Sequence, residues 1–250
     1  MKTKPKILLK VTAVLAVSML LLLSATSCIR IVGLRLTGSG NVVTEEREIS
    51  GVSSVSISSG MNLFITQGST EELRIEAEDN IIPRIMTEVR NGKLNIKFEN
   101  VIFGITNQKP INVFLTIKDL KEIDASSGAS ITSEGIGTEE LSIGLGSGAI
   151  GELVIEVNNL DIEISSGAQL EISGKTESQK ASLSSAGNYR AGELESKTAI
   201  MNLSSGAMAE IKVSEKLDAN VSSGASLRYI GSPEIISNIS SGGELKSISE

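Results

Sequence analysis

Histidine and tryptophan do not occur anywhere in the 250 residues. Without histidine the chain lacks the commonest general acid–base and the commonest transition-metal ligand. A Ser-His-Asp triad cannot be assembled from its many serines. Cys28 is the lone cysteine, which excludes a disulfide within the chain. Aromatic residues make up only 2% of the sequence, so the core cannot be built around large rings. What fills it must be small aliphatic and β-branched side chains, which suit narrow, regularly stacked interiors. Proline is scarce, at 4 residues against 24 glycines, so the glycines serve defined bends rather than collagen-like or linker sequence.

Positive charge is also short, and what there is lies partly at the start. The net charge of −7 includes Lys2, Lys4, Lys6 and Lys10, with no acid among residues 1–27. Removing that segment leaves −11. An acidic body repels nucleic acid and anionic lipid surfaces, so nucleic-acid binding is not expected. The basic start runs into an apolar stretch from Val11 to Leu23, then Ala25-Thr26-Ser27-Cys28. A charged start, a short apolar run and small residues before a cut describe a secretory signal peptide. Small residues leading into the single cysteine resemble the lipobox of bacterial lipoproteins, although leucine is more usual where Ala25 stands. The resemblance implies a diacylglyceryl thioether on Cys28, cleavage before it and acylation of the new amine. Several acyl chains exceed what stable anchoring requires. No acidic cluster follows Cys28, which leans toward the periplasmic side of an outer membrane over the cell surface.

The strongest signal is internal repetition. Ser-Ser-Gly or a close variant begins at Ser126, Gly146, Ser165, Ser184, Ser204, Ser222 and Ser240, spaced 18 to 20 residues apart. Apolar residues alternate with polar ones before each copy, as in Leu160, Ile162 and Ile164, and after it, as in Ala168, Leu170 and Ile172. Period-two alternation marks strands with one buried face, and the Ser-Ser-Gly reads as a corner where Gly takes a conformation that a Cβ forbids. Each unit is then two short strands, a corner and a variable loop. One unit cannot bury its own apolar face, whereas stacked copies share a continuous core. The expected fold is therefore all-β, a right-handed parallel β-helix (β-solenoid) with about 18–20 residues per turn.

Two outward columns follow from the alignment. Asn202, Asn220 and Asn238 occupy one position in consecutive turns and could form an amide ladder. Each also heads an Asn-x-Ser sequon, which falls out of the repeat itself. Glu152, Glu171, Arg190, Glu210, Arg228 and Lys246 form a charged stripe. Upstream, Val55 and Ile57 precede Ser58-Ser59-Gly60 in the same register, and Asn91-Gly92 between alternating runs is a hairpin signal. The expected organisation is a signal peptide over residues 1–27, a tether over 28–37 and a β-helical domain over 38–250. Its turns are irregular over 38–120 and regular over 121–250.

Gly38-Ser39-Gly40-Asn41, Glu46-Arg47-Glu48, Val52 to Val55, Gln67-Gly68, the stretch from Ile75 to Ile82, Thr87-Glu88-Val89 and Gly92 to Ile96 resemble the head GIN domain family. Its members are named as auto-transporter adhesins and are frequent among Bacteroidetes lipoproteins. The resemblance covers residues 38–250 and implies a β-helical fold and an envelope location. Val52 departs from it, standing where an aromatic residue is expected.

A search for chemistry leaves no catalytic set. Enzymatic β-helices need clustered carboxylates or basic residues on neighbouring turns. The candidates are Asp124, Asp161, Glu163 and Asp218. Asp161 and Asp218 share a column three turns apart, about 14 Å at the strand spacing and too far for paired carboxylates. Glu152 and Glu171 could approach but read as a solvated stripe. Gly38-Ser39-Gly40 is too short for a phosphate loop. The acidic stretch Glu76 to Asn80 lacks calcium-loop spacing and reads as a turn. No enzyme activity, cofactor or metal is expected. The expected function is a cell-envelope lipoprotein presenting a β-helical rod as an adhesin-like or scaffold module. The alternative is a polysaccharide-binding or polysaccharide-active β-helix, for which the available tyrosines are Tyr189 and an inward Tyr229. The expected partners are a membrane through the lipid on Cys28 and an envelope glycan or protein. Self-association through an open last turn at Gly243 to Glu250 is a third possibility, with Glu244, Lys246 and Glu250 placed as edge protection.

Overall fold

The alternation of apolar residues along the chain leaves it little choice but strands. A computed structural model describes residues 35–99 and 104–248. The expected signal peptide over 1–27 and Cys28 lie outside the described residues. Apart from Arg35 and Gly104, the described residues form one body. Its N-terminal part holds β1 (Leu36–Thr37), β2 (Val42–Arg47), β3 (Ser54–Ile57), β4 (Asn62–Gln67) and β5 (Glu72–Glu78). After a 3-10 turn at Ile82–Arg84 come β6 (Ile85–Arg90), β7 (Lys93–Phe98), β8 (Ile105–Thr106), β9 (Asn112–Ile117) and β10 (Glu122–Ala125). The regular part holds β11 (Ser130–Leu145), β12 (Ile150–Ile164), β13 (Gln169–Leu183), β14 (Asn188–Leu203) and β15 (Met208–Val221). It ends in β16 (Ser226–Ile230), β17 (Glu234–Ile239) and β18 (Glu244–Ser247).

From β10 to β18 every pairing is parallel and each turn pairs with the next, so the body is a parallel β-solenoid. The variable loop expected in each unit is absent from β11 to β15. Each of these strands runs 14 to 16 residues without interruption. Extra residues are absorbed as register shifts, for example between Ala191 and Glu195.

The corners stack. At each, the second residue has a positive φ of its own, from 48° at Ser241 to 67° at Ser59, and the following Gly or Ala186 does too. Two left-handed residues in a row turn the serine carbonyl along the solenoid axis. There it accepts a hydrogen bond from the previous turn, as in Gly128 N to Ser147 O (3.0 Å) and Gly148 N to Ser166 O (3.1 Å). The corner is thus a ladder as well as a bend, which explains why a serine tolerates a conformation that usually favours Gly or Asn.

Inside, the inward columns run straight. Ile123, Ile143, Ile162, Ala181, Met201 and Ala219 lie in one register-paired file, and all are buried. Within this file system sits a buried polar chain that the apolar alternation hides. Tyr189 is fully buried and donates its hydroxyl to Gln179 Oε1 (3.0 Å). Gln179 donates to Ser196 Oγ (2.8 Å), and Ser196 donates to the Lys212 carbonyl (2.6 Å). Each buried polar group in the chain is thereby satisfied, which is the condition for keeping it in an apolar core. The following turn places Ala199 beside Gln179 and Ala209 beside Tyr189 in their columns, small residues where the large ones need room.

The irregular part departs from simple sequential stacking. β3 lies between β10 and β7, and β4 lies between β11 and β9. The Ser58-Ser59-Gly60 corner therefore stacks directly on the Ser126 corner, with Gly60 N donating to Ser127 O (3.0 Å). Residues 38–120 are not merely the same architecture with longer turns, since β2 with β5, β5 with β9 and β6 with β7 pair antiparallel. Asn91 and Gly92 both have positive φ and close the β6–β7 hairpin, as the sequence indicates. Val52, despite its departure from the family pattern, is buried in the core.

Candidate functional site

Period-two geometry sends every second side chain of each strand outward, so the repeat builds surface columns as strictly as it builds the core. The charged stripe is one of them. Glu152, Glu171, Arg190, Glu210, Arg228 and Lys246 are register partners in consecutive strands. Arg190 pairs with Glu171 at 3.7 Å and Arg228 with Glu210 at 3.6 Å. These are exposed pairs, of which the typical contribution to stability is small. In the amide column Asn220 donates to Asn202 Oδ1 at 3.1 Å, and Asn238 continues the register.

Followed toward the N-terminal part, the charged column changes character. Beyond Glu152 it passes through Thr132 to Phe64, Phe114, Arg74 and Glu46. The Phe64 and Phe114 rings stack with centroids 5.1 Å apart, and the Arg74 guanidinium lies 3.9 Å from the Phe114 centroid. Beside the rings, Asn62 donates to Asn112 Oδ1 (3.0 Å) and accepts from Ser130 Oγ (2.7 Å). Next to Phe114 and Arg74 a groove of about 1230 Å³ is lined by Glu46, Glu48, Glu71 and Glu72. The sequence carries a signal for this pair, because Asn62-Leu63-Phe64-Ile65-Thr66 and Asn112-Val113-Phe114-Leu115-Thr116 share one pattern. The two tyrosines do not form such a platform: Tyr189 is inside and Tyr229 is half-buried against the core.

The carboxylates singled out from the sequence are dispersed. Asp124 is held by Lys93 at 2.5 Å, and the same ammonium reaches Glu122 at 3.1 Å across the intervening β3. These contacts, Asp124 foremost, raise the Lys93 pKa although its partial burial opposes the shift. Asp161 faces Lys180 at 3.5 Å. Between Asp161 and Asp218 the column holds Lys180 and Ile200, so the two acids stand three strands apart. Glu163 lies between Gly144 and Ser182 in the outward register. Among the described residues, no three side chains of metal-ligating type gather to hold an ion.

The acidic stretch at Glu76 to Asn80 is a structural joint. Glu78 is fully buried and accepts backbone hydrogen bonds from Gly40 (2.7 Å), Gln108 (2.8 Å) and Lys109 (3.3 Å). Burial pushes its carboxyl up, but these three donors and the Lys109 charge outweigh it and hold the pKa below the ordinary value. Asp79 is lowered by the Asn41 amide first and the Ser39 hydroxyl second, against a smaller push from burial. Asn80 accepts from Ser39 N and donates to the Thr37 carbonyl. Gly38-Ser39-Gly40-Asn41 therefore docks onto Glu78-Asp79-Asn80. Gly38 is required there because a Cβ would overlap the Glu78 carboxylate. Arg47 completes the joint region by donating to the carbonyls of Ile85 (2.5 Å) and Ile82 (3.1 Å). Two of the sequence motifs that carry the family resemblance are thus the two halves of one joint.

Comparison with other proteins agrees with this architecture. A crystal structure described as a putative adhesin from Bacteroides fragilis is similar with a TM-score of 0.75 and 21% identity, covering 86% of this chain and all of its own. A putative adhesin from Parabacteroides merdae gives 0.73 and 18%, with the same coverage. A protein described as a putative lipid binding protein from Parabacteroides distasonis gives 0.70 and 19%, again with that coverage. At these identities the likeness shows the fold. No curated protein sequence matches the chain. Among the described residues, no helix is long and apolar enough to cross a membrane. Residues 51–233 match the family described as "putative auto-transporter adhesin, head GIN domain", and the chain belongs to that family.

Proposed function

We propose that this chain is an envelope lipoprotein, held to the outer membrane through lipid on Cys28, that presents its solenoid as a non-enzymatic adhesin-like interaction module. The observation that carries this reading is the outward order of the repeat. Glu152 to Lys246 and Asn202 to Asn238 form straight polar ladders, whereas the candidate carboxylates are either paired with lysines or strands apart. A flat, ordered polar surface suits recognition of a partner by many weak contacts. Solenoids use their extended faces in this way.

A second reading, contact with envelope glycan, is favoured by one specific feature. The Phe64–Phe114–Arg74 stack offers an aromatic platform flanked by the Asn62 and Asn112 amides and by Thr132. Aromatic faces edged by hydrogen-bonding groups are amphipathic contact surfaces of the kind saccharides need. The two readings separate on an array of envelope glycans probed with the full chain and with Phe64→Ala. Retention that drops at least tenfold in the variant supports glycan contact. No retention by the native chain leaves cross-linked protein partners captured from intact cells as the test of the first reading. Failure to capture any partner on protease-accessible chain contradicts it.

A further inference from the structure

The groove beside the ring stack is laid out on the grid of the sheet. Phe64 and Thr66 stand on the outward face of β4, and Phe114 and Thr116 on that of β9, in direct register. The antiparallel β5 continues both columns, with Arg74 beside Phe114 and Glu72 beside Thr116. β2 then places Glu46 beside Arg74. Paired strands lie about 4.8 Å apart and successive outward residues about 7 Å. Ring, hydroxyl and carboxylate therefore fall within the span of one small cyclic ligand unit. Phe64 is 37% exposed, so its apolar surface is open to such a unit.

Charge narrows the class of ligand. Two arginines share the groove with Glu46, Glu48, Glu71 and Glu72, but both are engaged elsewhere. Arg47 is bound to Glu45 and to the carbonyls of Ile82 and Ile85. Arg74 pairs with Glu76 and lies on the Phe114 ring. Among the described residues, none of the four glutamates forms an ion pair. A cleft lined by one sign of charge draws ligands of the other. The ring stack already holds one cation of the chain's own, since the Arg74 guanidinium rests on Phe114 with the Glu76 carboxylate at its side.

The walls also carry the hydroxyls of Thr66, Thr87 and Thr116. A neutral sugar matches the rings and the hydroxyls but leaves the glutamates without a counter-charge. A lysine or arginine side chain brings the charge on a long alkyl stem and leaves the hydroxyls unmatched. An amino sugar brings an ammonium, hydroxyls and a C–H surface on one ring. We propose that the groove binds a cationic glycan, one whose sugar units carry free amines. The ammonium groups lie against Glu46, Glu72 and their neighbours, and the sugar against the Phe64–Phe114 stack. This inference rests on the glycan reading above and names the class of glycan.

The test is calorimetric titration of the purified full chain in detergent with three probes: a glucosamine oligosaccharide bearing free amines, its fully N-acetylated counterpart and oligolysine. The native chain is compared with E46Q/E72Q, whose substitutions are on exposed residues, and with Phe64→Ala. The expected result is that the native chain binds the free-amine oligosaccharide about tenfold more tightly than the N-acetylated one. That preference should shrink with added salt and disappear in E46Q/E72Q, while Phe64→Ala weakens binding of both. Equal binding of the two oligosaccharides that still falls in Phe64→Ala overturns the cationic class and leaves the glycan reading standing. A preference that survives in E46Q/E72Q overturns the site. Binding of oligolysine alone overturns the proposal in favour of a basic peptide, and binding of none of the three overturns it outright.

Discussion

Ala186 carries the clearest local strain in the corner ladder. It holds a φ of 61° where the other corners have Gly. A left-handed conformation costs a residue with a Cβ about 1–2 kcal/mol, partly offset by the greater freedom of Gly in the unfolded chain. Ala186→Gly is expected to raise the melting temperature by about 2–4 °C, and Gly167→Ala to lower it by a similar amount. Thermal unfolding followed by circular dichroism checks both. Tyr189 provides a second test. Burial pushes its phenol well above the ordinary value. The folded state therefore keeps a proton that the unfolded chain loses near pH 10. Stability should fall as pH rises beyond about 10, and Tyr189→Phe should remove that alkaline limb. The same variant leaves Gln179 Oε1 buried without its donor, at a cost of about 1–3 kcal/mol. Pairing it with Gln179→Leu should recover part of the loss in denaturant unfolding. Glu78 governs the acid side. Its lowered pKa contributes stability above the ordinary glutamate value of about 4.3, lost as pH falls through the folded value. Glu78→Gln should flatten the acid limb of the stability profile.

At the scale of the element, the regular strands were legible because one rule, inward or outward by parity, governs nearly every position from β11 to β15. The corner spacing gave the turn length, and the columns Glu152 to Lys246 and Asn202 to Asn238 are register partners as the alignment implies. What was not legible depended on contacts between distant segments. The placement of β3 between β10 and β7 cannot be read from alternation, which is silent on partner choice. Gln179 stands in an inward column filled elsewhere by Leu141, Leu160, Ala199 and Leu217, but its polar chain to Tyr189 and Ser196 appears only when the turns are stacked. The Phe64–Phe114 platform was missed for a different reason. Its signal, the shared Asn-x-Phe-x-Thr pattern, is a match between strands fifty residues apart, outside the 18-to-20-residue period. The corner serine's left-handed backbone was hidden as well, since Gly alone advertises such geometry. Because register carries the fold, an inward charge should be far costlier than an outward one. Ile162→Asp is expected to abolish cooperative unfolding, while Asp161→Asn changes the stability by no more than about 0.5 kcal/mol.

The described residues from Leu36 onward make a strand-built body with polar ladders along its sides. Its chemistry is that of a surface: the candidate acids Asp124 and Asp161 are taken by Lys93 and Lys180, and the motif-bearing stretches at Gly38 and Glu78 meet in a structural joint. In the function proposed above, this surface is displayed from a membrane by lipid on Cys28. Intact-mass measurement of the protein recovered from its native envelope, together with the membrane partition of Cys28→Ser, tests it most directly. The expected result is a mature chain that begins at Cys28 and carries the mass of its acyl groups, and a Cys28→Ser variant without them. An unmodified Cys28, in a chain that partitions as the variant does, would contradict it.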